Sequence, residues 1–451
     1  MTVFDRWVMA ILAGLLLATG VVIARGDQVG LRVLRVSPTD GAQAVPSQTR
    51  IRVTFDQPVD LSSVLRSLII EPPVAGTAQW EDDTLVFYPS EPFQPDTRYT
   101  VTVPAGLSSP QGQRIKQAYQ WQFQTGHARV VYLHTDQAGK RQLALLDPTA
   151  EDATPRLITE EVSGVWDYAP APNGQMIAYA AVRADGGADL WTVTPATGKA
   201  SLLLACQPDA CSGPVWMPDS ARLIYERRAV NAFTSGQGLA RLWWLDIATG
   251  ETAPVFADTQ WLGFGASVSA DGQWLSHVAP EKLALVVYNL RDGRSLEIPT
   301  EMGEGGLWNP RENLLLYSDI VETPEGFFAH LYQVNAESGS ITDVTVDNTR
   351  GDSSPAWSPD GRRIAIARRT PEQPAVAQIF ILNAEGSTEQ ALTGDAAFHH
   401  SALRWSPDGR FLLSQRVAVS GLGESQIWLY DLSTGAPQLL AADGAWPTWL
   451  P

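Results

Sequence analysis

The sequence predicts an all-β protein in three parts, and three observations carry that reading. A turn phrase recurs at 40–52-residue spacing from residue 168 onward. Short stretches of alternating polar and apolar residues fill the segment before it, and an uninterrupted apolar run stands near the amino end. The parts are 1–29, a signal anchor or signal peptide; 30–126, an immunoglobulin-like β-sandwich; and 127–451, a seven-bladed β-propeller closed by its C-terminal strand.

The turn phrase reads PAWSPDG at 355–361 and LRWSPDG at 403–409. Degraded copies are PVWMPDS (214–220), GLWNPRE (306–312), ASVSADG (266–272) and YAPAPNG (168–174). Their last residues stand at 174, 220, 272, 312, 361 and 409, so the spacings are 46, 52, 40, 49 and 48. Such a period is that of a propeller blade. Within a repeat, Pro359 sets φ for a turn, Asp360 can bond its own backbone, and Gly361 accepts positive φ. The apolar runs that follow, Arg363 to Ala367, Gln378 to Leu382 and Gln390 to Thr393, are too short for helices and suit strands.

Residues 129–159 supply a second, third and fourth strand but no first. Trp446-Pro447-Thr448-Trp449-Leu450-Pro451 matches the start of a repeat and then the chain stops. The expectation is that this strand completes the first blade, giving seven blades and a ring with few open edges. The region resembles the TolB-type (WD-like) β-propeller repeat family, on Trp357 to Gly361 and Trp405 to Gly409 as full matches. Trp216 and Trp308 keep the aromatic wedge, while Pro170 and Val268 replace it. The resemblance implies a fold and hardly an activity.

In the first third, Arg50-Ile51-Arg52-Val53-Thr54-Phe55 alternates as a half-buried strand does, and Thr84 to Tyr88, Arg98 to Val103 and Gln120 to Phe123 follow suit. Seven or so such strands predict an immunoglobulin-like sandwich. The stretches VSPTDGAQAVPSQTRIRVTFDQPVD (36–60), TLVFYPSEPFQPDTRYTVTV (84–103) and YQWQFQTG (119–126) resemble the SbsA-type bacterial Ig-like family. That resemblance implies a spacer or adhesive module on an exported, surface-attached protein. The apolar run from Trp7 to Ala24 spans about 27 Å as a helix, close to the ~30 Å hydrocarbon core. It reads as an uncleaved anchor or as a signal peptide cut after Ala24. Arg6 precedes it and Arg25, Arg32 and Arg35 follow it, so the positive-inside rule taken literally puts the domains in the cytoplasm, whereas the resemblances imply the outside.

Net charge is −17. The propeller segment carries 22 basic against 38 acidic residues, which excludes a phosphate-backbone partner and hence nucleic acid. Cys206 and Cys211, alone in an exported chain, predict a local disulfide, and no further ligands nearby make them a metal pair. No nucleophile elbow, H-E-x-x-H, Walker or dinucleotide motif occurs, and no cofactor is expected.

In a four-stranded meander the Pro-Asp-Gly turns share one end with the third-to-fourth turns. The irregular second-to-third loops and the inter-blade connections share the other. Function concentrates in irregular loops on a rigid scaffold. The candidate binding residues are therefore Trp166, Tyr168, Phe233, Trp261, Phe264, Phe327, Phe328, Phe398, His399, His400 and Trp446. Aromatics exposed on one rim suit a protein, peptide or glycan; aromatics that cap gaps between blades would be core instead. The expected protein is noncatalytic, membrane-anchored through 7–24 and extracytoplasmic. The alternatives are a secreted propeller enzyme with a site in the central channel, lyase, hydrolase or peptidase-like, and a structural envelope component.

Overall fold

A computed structural model describes Gly14 and residues 31–59, 68–81, 84–109, 113–150, 153–230, 236–258, 260–324, 326–347, 349–421 and 423–451. The apolar run at 7–24, Gly14 aside, and Phe233 lie outside the described residues. Among the described residues no helix is long and apolar enough to cross a membrane. The chain divides into two compact units, Met1–Gly126 and His127–Pro451.

Among the described residues the first unit is two four-stranded sheets. One runs Val33–Ser37, Ile51–Phe55, Thr84–Pro89, Gly76–Glu81; the other runs Ala42–Val45, Tyr119–Thr125, Arg98–Val103, Ile69–Glu71. Alternation builds its core: Ile51, Val53 and Phe55 turn inward while Arg52 and Thr54 do not. Phe93, Tyr99 and Phe123 meet at its centre, the last two ring-stacked at 5.5 Å, with Trp121 buried beside them.

The second unit holds, among the described residues, seven four-stranded antiparallel sheets. Six run in chain order from first to fourth strand: II (165–204), III (210–254), IV (264–299), V (307–343), VI (351–391) and VII (398–441). Sheet I is assembled from both ends of the unit. Arg129–Thr135, Arg141–Leu146 and Arg156–Leu157 come from its start, and Gly444–Leu450 from the carboxyl end lies beside Arg129–Thr135, with Trp449 opposite Val130.

First strands pack against first strands, so they line the axis. The wedge tryptophan explains how. Trp216 Nε1 donates to Ala169 O (2.9 Å), Trp308 to Ser267 O (3.1 Å), Trp357 to Leu307 O (3.2 Å), Trp405 to Ala356 O (3.0 Å) and Trp449 to Arg404 O (3.2 Å). Each indole thus ties its sheet to the sheet before it. Where the wedge is missing another bond serves. Glu226 of sheet III accepts from Gly265 N of sheet IV, and Tyr168 Oη of sheet II donates to Val131 O and Trp446 O of sheet I. The chain of ties runs through all seven sheets and returns to the first.

At one end the turns are stereotyped. The Ser358 hydroxyl donates to Asp360 Oδ1 (2.5 Å) and accepts from Arg363 N; Ser406 and Asp408 repeat the circuit with Phe411 N, and Ser269 and Asp271 with Trp274 N. Gly361 is required twice over. Its φ is +72°, and a Cβ there would meet Asn309 Oδ1 of the preceding sheet at 2.5 Å.

Candidate functional site

Every first strand starts at the end that carries the irregular loops, because the stereotyped turns lie at its finish. Just below that start, the first strands of sheets I, II, III, IV, VI and VII each carry a bulge. Bulges re-aim side chains at a rim. The residue three before the wedge position is Gly213, Gly265, Gly305, Ser354 and Ala402 in sheets III to VII, small in every case. Sheets I and II break this rule with Trp446 and Asp167. Trp446 adopts φ +53°, a conformation that a bulky side chain rarely takes, and leaves its indole 59% exposed. Trp166, next to Asp167, is 37% exposed.

The residue directly before the wedge is equally uneven. It is Ala169, Val215, Ser267, Leu307, Ala356 and Thr448 in six sheets and Arg404 in sheet VII. Arg404 is half-buried, its Nη1 donates only to Leu403 O (2.8 Å), and among the described residues no carboxylate pairs with it. Desolvation by the strands around it holds its pKa below the usual arginine value, and the Tyr168 hydroxyl opposes that shift. Tyr168 in turn is desolvated and its pKa raised, with Arg404 the opposing charge. Arg404, Tyr168 and Trp446 therefore form one group, across three adjacent sheets: VII, I and II.

Asp167 faces the other way. Its Oδ2 accepts from Gly213 N (2.8 Å), while its Oδ1 is buried without a hydrogen-bond partner. Burial, and then the nearby Glu226, push its pKa up to about 7 against the pull of the Gly213 N–H, Arg141 and Arg228. Glu226 spends one oxygen on Gly265 N (2.8 Å) and the other on Arg228. This flank is a built ion and hydrogen-bond network. On sheet VI, Arg368 is bidentate to buried Asp352 (2.6 and 2.8 Å) and also reaches Glu389.

The candidate aromatics separate under the structure. Phe327 is 72% exposed on the second-to-third hairpin of sheet V, with Phe328 half-buried beside it. Trp261 is not a free rim residue: it packs on Phe256 (5.1 Å) and Tyr288 (6.4 Å) under Lys282. Phe264 is half-buried on its first strand. Phe398 is covered by the Arg416 guanidinium, 3.7 Å from its centroid. His399 accepts from Ala377 N (3.1 Å). His400 is a core residue, 1% exposed and bonded to Ser414, and burial pushes its pKa down to about 4. Cys206 and Cys211 form a disulfide.

Sequence reasoning passed over Arg404, Asp167, Glu226 and two buried histidines. His277 is pushed down to about 4 by burial; His330 holds Asp343 at 2.8 Å, with Nε2 unpartnered. Arg404 did carry a signal, being the one charge at a position otherwise small or apolar. A surface cavity of about 410 Å³ lies at the opposite end between sheets VII and I, but its charges, Arg410 and Asp431, pair with each other.

Residues 27–125 match the family model of a bacterial Ig-like domain. A search of curated proteins gives no match. Among solved structures, a puromycin-hydrolysing peptidase of Mycobacterium tuberculosis is 15% identical with TM-score 0.53, over 71% of this chain and 53% of that one. An oligogalacturonate lyase of Vibrio parahaemolyticus is 13% identical with TM-score 0.50, over 70% and 84%. TolB of Acinetobacter baumannii is 13% identical over 85% and 83%, with a TM-score of 0.43. At these identities the likeness shows the fold alone, one that serves different activities.

Proposed function

We propose that the chain is a noncatalytic, extracytoplasmic binding protein, anchored in a membrane through 7–24 or released after Ala24. In this reading an SbsA-type Ig-like domain carries a seven-bladed TolB-type propeller, whose irregular-loop face takes a protein, peptide or glycan partner. The observation that carries it is the exposure of Trp446, Trp166 and Phe327 at the end where the irregular loops gather. Large aromatics left in water at one rim are what a contact surface needs. The test is capture from membrane extracts by the full-length protein. Phe327→Ala and Trp446→Ala should each lower capture of a discrete partner at least fivefold with unchanged melting; undiminished capture contradicts the reading.

The alternative enzyme reading draws support from Asp167, whose carboxyl titrates near neutral pH, where general acid–base groups work. Against it, the free oxygen is buried away from any substrate. Turnover of oligosaccharide or peptide substrates that vanishes in Asp167→Asn would favour the enzyme.

A further inference from the structure

On the binding reading just given, the occupant can be narrowed by charge. Among the described residues, the loops at the irregular end of the seven sheets contain fourteen acidic and four basic residues. Such a rim repels polyanions and attracts cations over about a Debye length. Inside it, the Arg404 guanidinium has no carboxylate partner among the described residues and one backbone bond. The ring positions that depart from the small-residue rule, Trp446 and Asp167, lie on the arc of sheets I and II next to it. A left-handed tryptophan is a strained choice where five other sheets use Gly, Ser or Ala, and strain of this kind gathers at ligand clamps.

We propose that the arc of Arg404, Tyr168, Trp446 and Trp166 is a subsite for the free C-terminal carboxylate of a basic peptide or protein tail. Among the described residues Arg404 Nε and Nη2 make no hydrogen bond, and that edge of the guanidinium is a donor fork that matches a carboxylate. A single cation balances a single negative charge, which suits a chain terminus rather than a phosphate or a polyuronate entering an acidic rim. The exposed indoles give platforms for the last side chains, and lysine or arginine further back meets the acidic loops. Tyr168 cannot replace Arg404, because its hydroxyl is committed to Val131 O and Trp446 O.

The probe is an array of fluorescent peptides of about ten residues, rich in Lys and Arg, each made as free acid and as C-terminal amide. Binding to the full-length protein is read by anisotropy. Free acids should bind about tenfold more tightly than their amides, as the loss of a charge-assisted pair implies. Arg404→Gln should abolish that difference, and Arg404→Lys should restore part of it. Trp446→Gly should weaken both forms while raising the melting temperature, since it relieves the positive φ; a merely structural tryptophan would lower it. Equal affinity of acid and amide, indifference to Arg404→Gln, absence of binding by any peptide, or Arg404-dependent binding of a polyuronate instead would each overturn the proposal. If the captured partner still depends on Phe327 and Trp446 while acid and amide behave alike, only the carboxylate subsite falls; if neither dependence is seen, the binding reading falls with it.

Discussion

The two ends of the seven sheets are built on opposite principles. At the turn end, Ser358–Asp360–Gly361, Ser406–Asp408–Gly409 and Ser269–Asp271–Gly272 close the same circuit of bonds, and each glycine sits near φ +72°. At the loop end little repeats except the bulge, and its occupants range from Gly213 to Trp446. Repetition there would serve no purpose, since each sheet needs only to be held and not to match its neighbour. The uniform end fixes the ring; the uneven end is free to carry recognition.

Breaking the ring should have the largest effect. Removing 444–451 strips the first strand from sheet I and leaves Val130 and Val131 without cover; calorimetry should lose the cooperative transition of the 127–451 unit and keep that of the Ig-like unit. Trp357→Ala, at a buried wedge, should cost about 3–5 kcal/mol in denaturant titration, whereas Trp446→Ala should stay within about 0.5 kcal/mol. Asp352→Ala leaves the buried Arg368 guanidinium without its bidentate partner, at a cost of about 3–5 kcal/mol.

Titration gives a smaller effect with a definite sign. Asp167 has its folded pKa raised to about 7, so the stability tied to its proton is complete below the unfolded value near 3.8 and is lost as pH rises through 7. Asp167→Asn should therefore gain on the parent between pH 4.5 and pH 8 by on the order of 2 kcal/mol. His277 and His400 work in the opposite sense. Their folded pKa values near 4 give stability that is present above pH 6.5 and lost as pH falls through 4. His400→Gln, which can keep a bond to Ser414, should flatten that acid limb; a pH series of melting curves reads both.

The legible parts were those enforced by local chemistry. The Pro-Asp-Gly phrase must turn, so the sheet order II to VII follows from its spacing. The unpaired opening strands together with the tryptophan-rich end announced where Gly444–Leu450 would go. The alternation at Ile51, Val53 and Phe55 marked a sandwich strand. The site was less legible, because exposure of an aromatic depends on what folds over it: Trp261 meets Phe256 of its own connection and Tyr288 of a later strand, and Phe398 meets Arg416 of the paired strand. Arg404 shows in the sequence only as the one charge directly before a wedge; its lack of a carboxylate partner and the desolvation of Asp167 come from the folded surroundings.

Amide hydrogen exchange along Arg129–Thr135 reads ring closure itself, since that strand is sealed only if the carboxyl end lies beside it. Ring closure requires protection of Val130, Val131 and Leu133 as strong as that of Ile177–Val182 within sheet II. Exchange of those amides within seconds, with sheet II still protected, would contradict it.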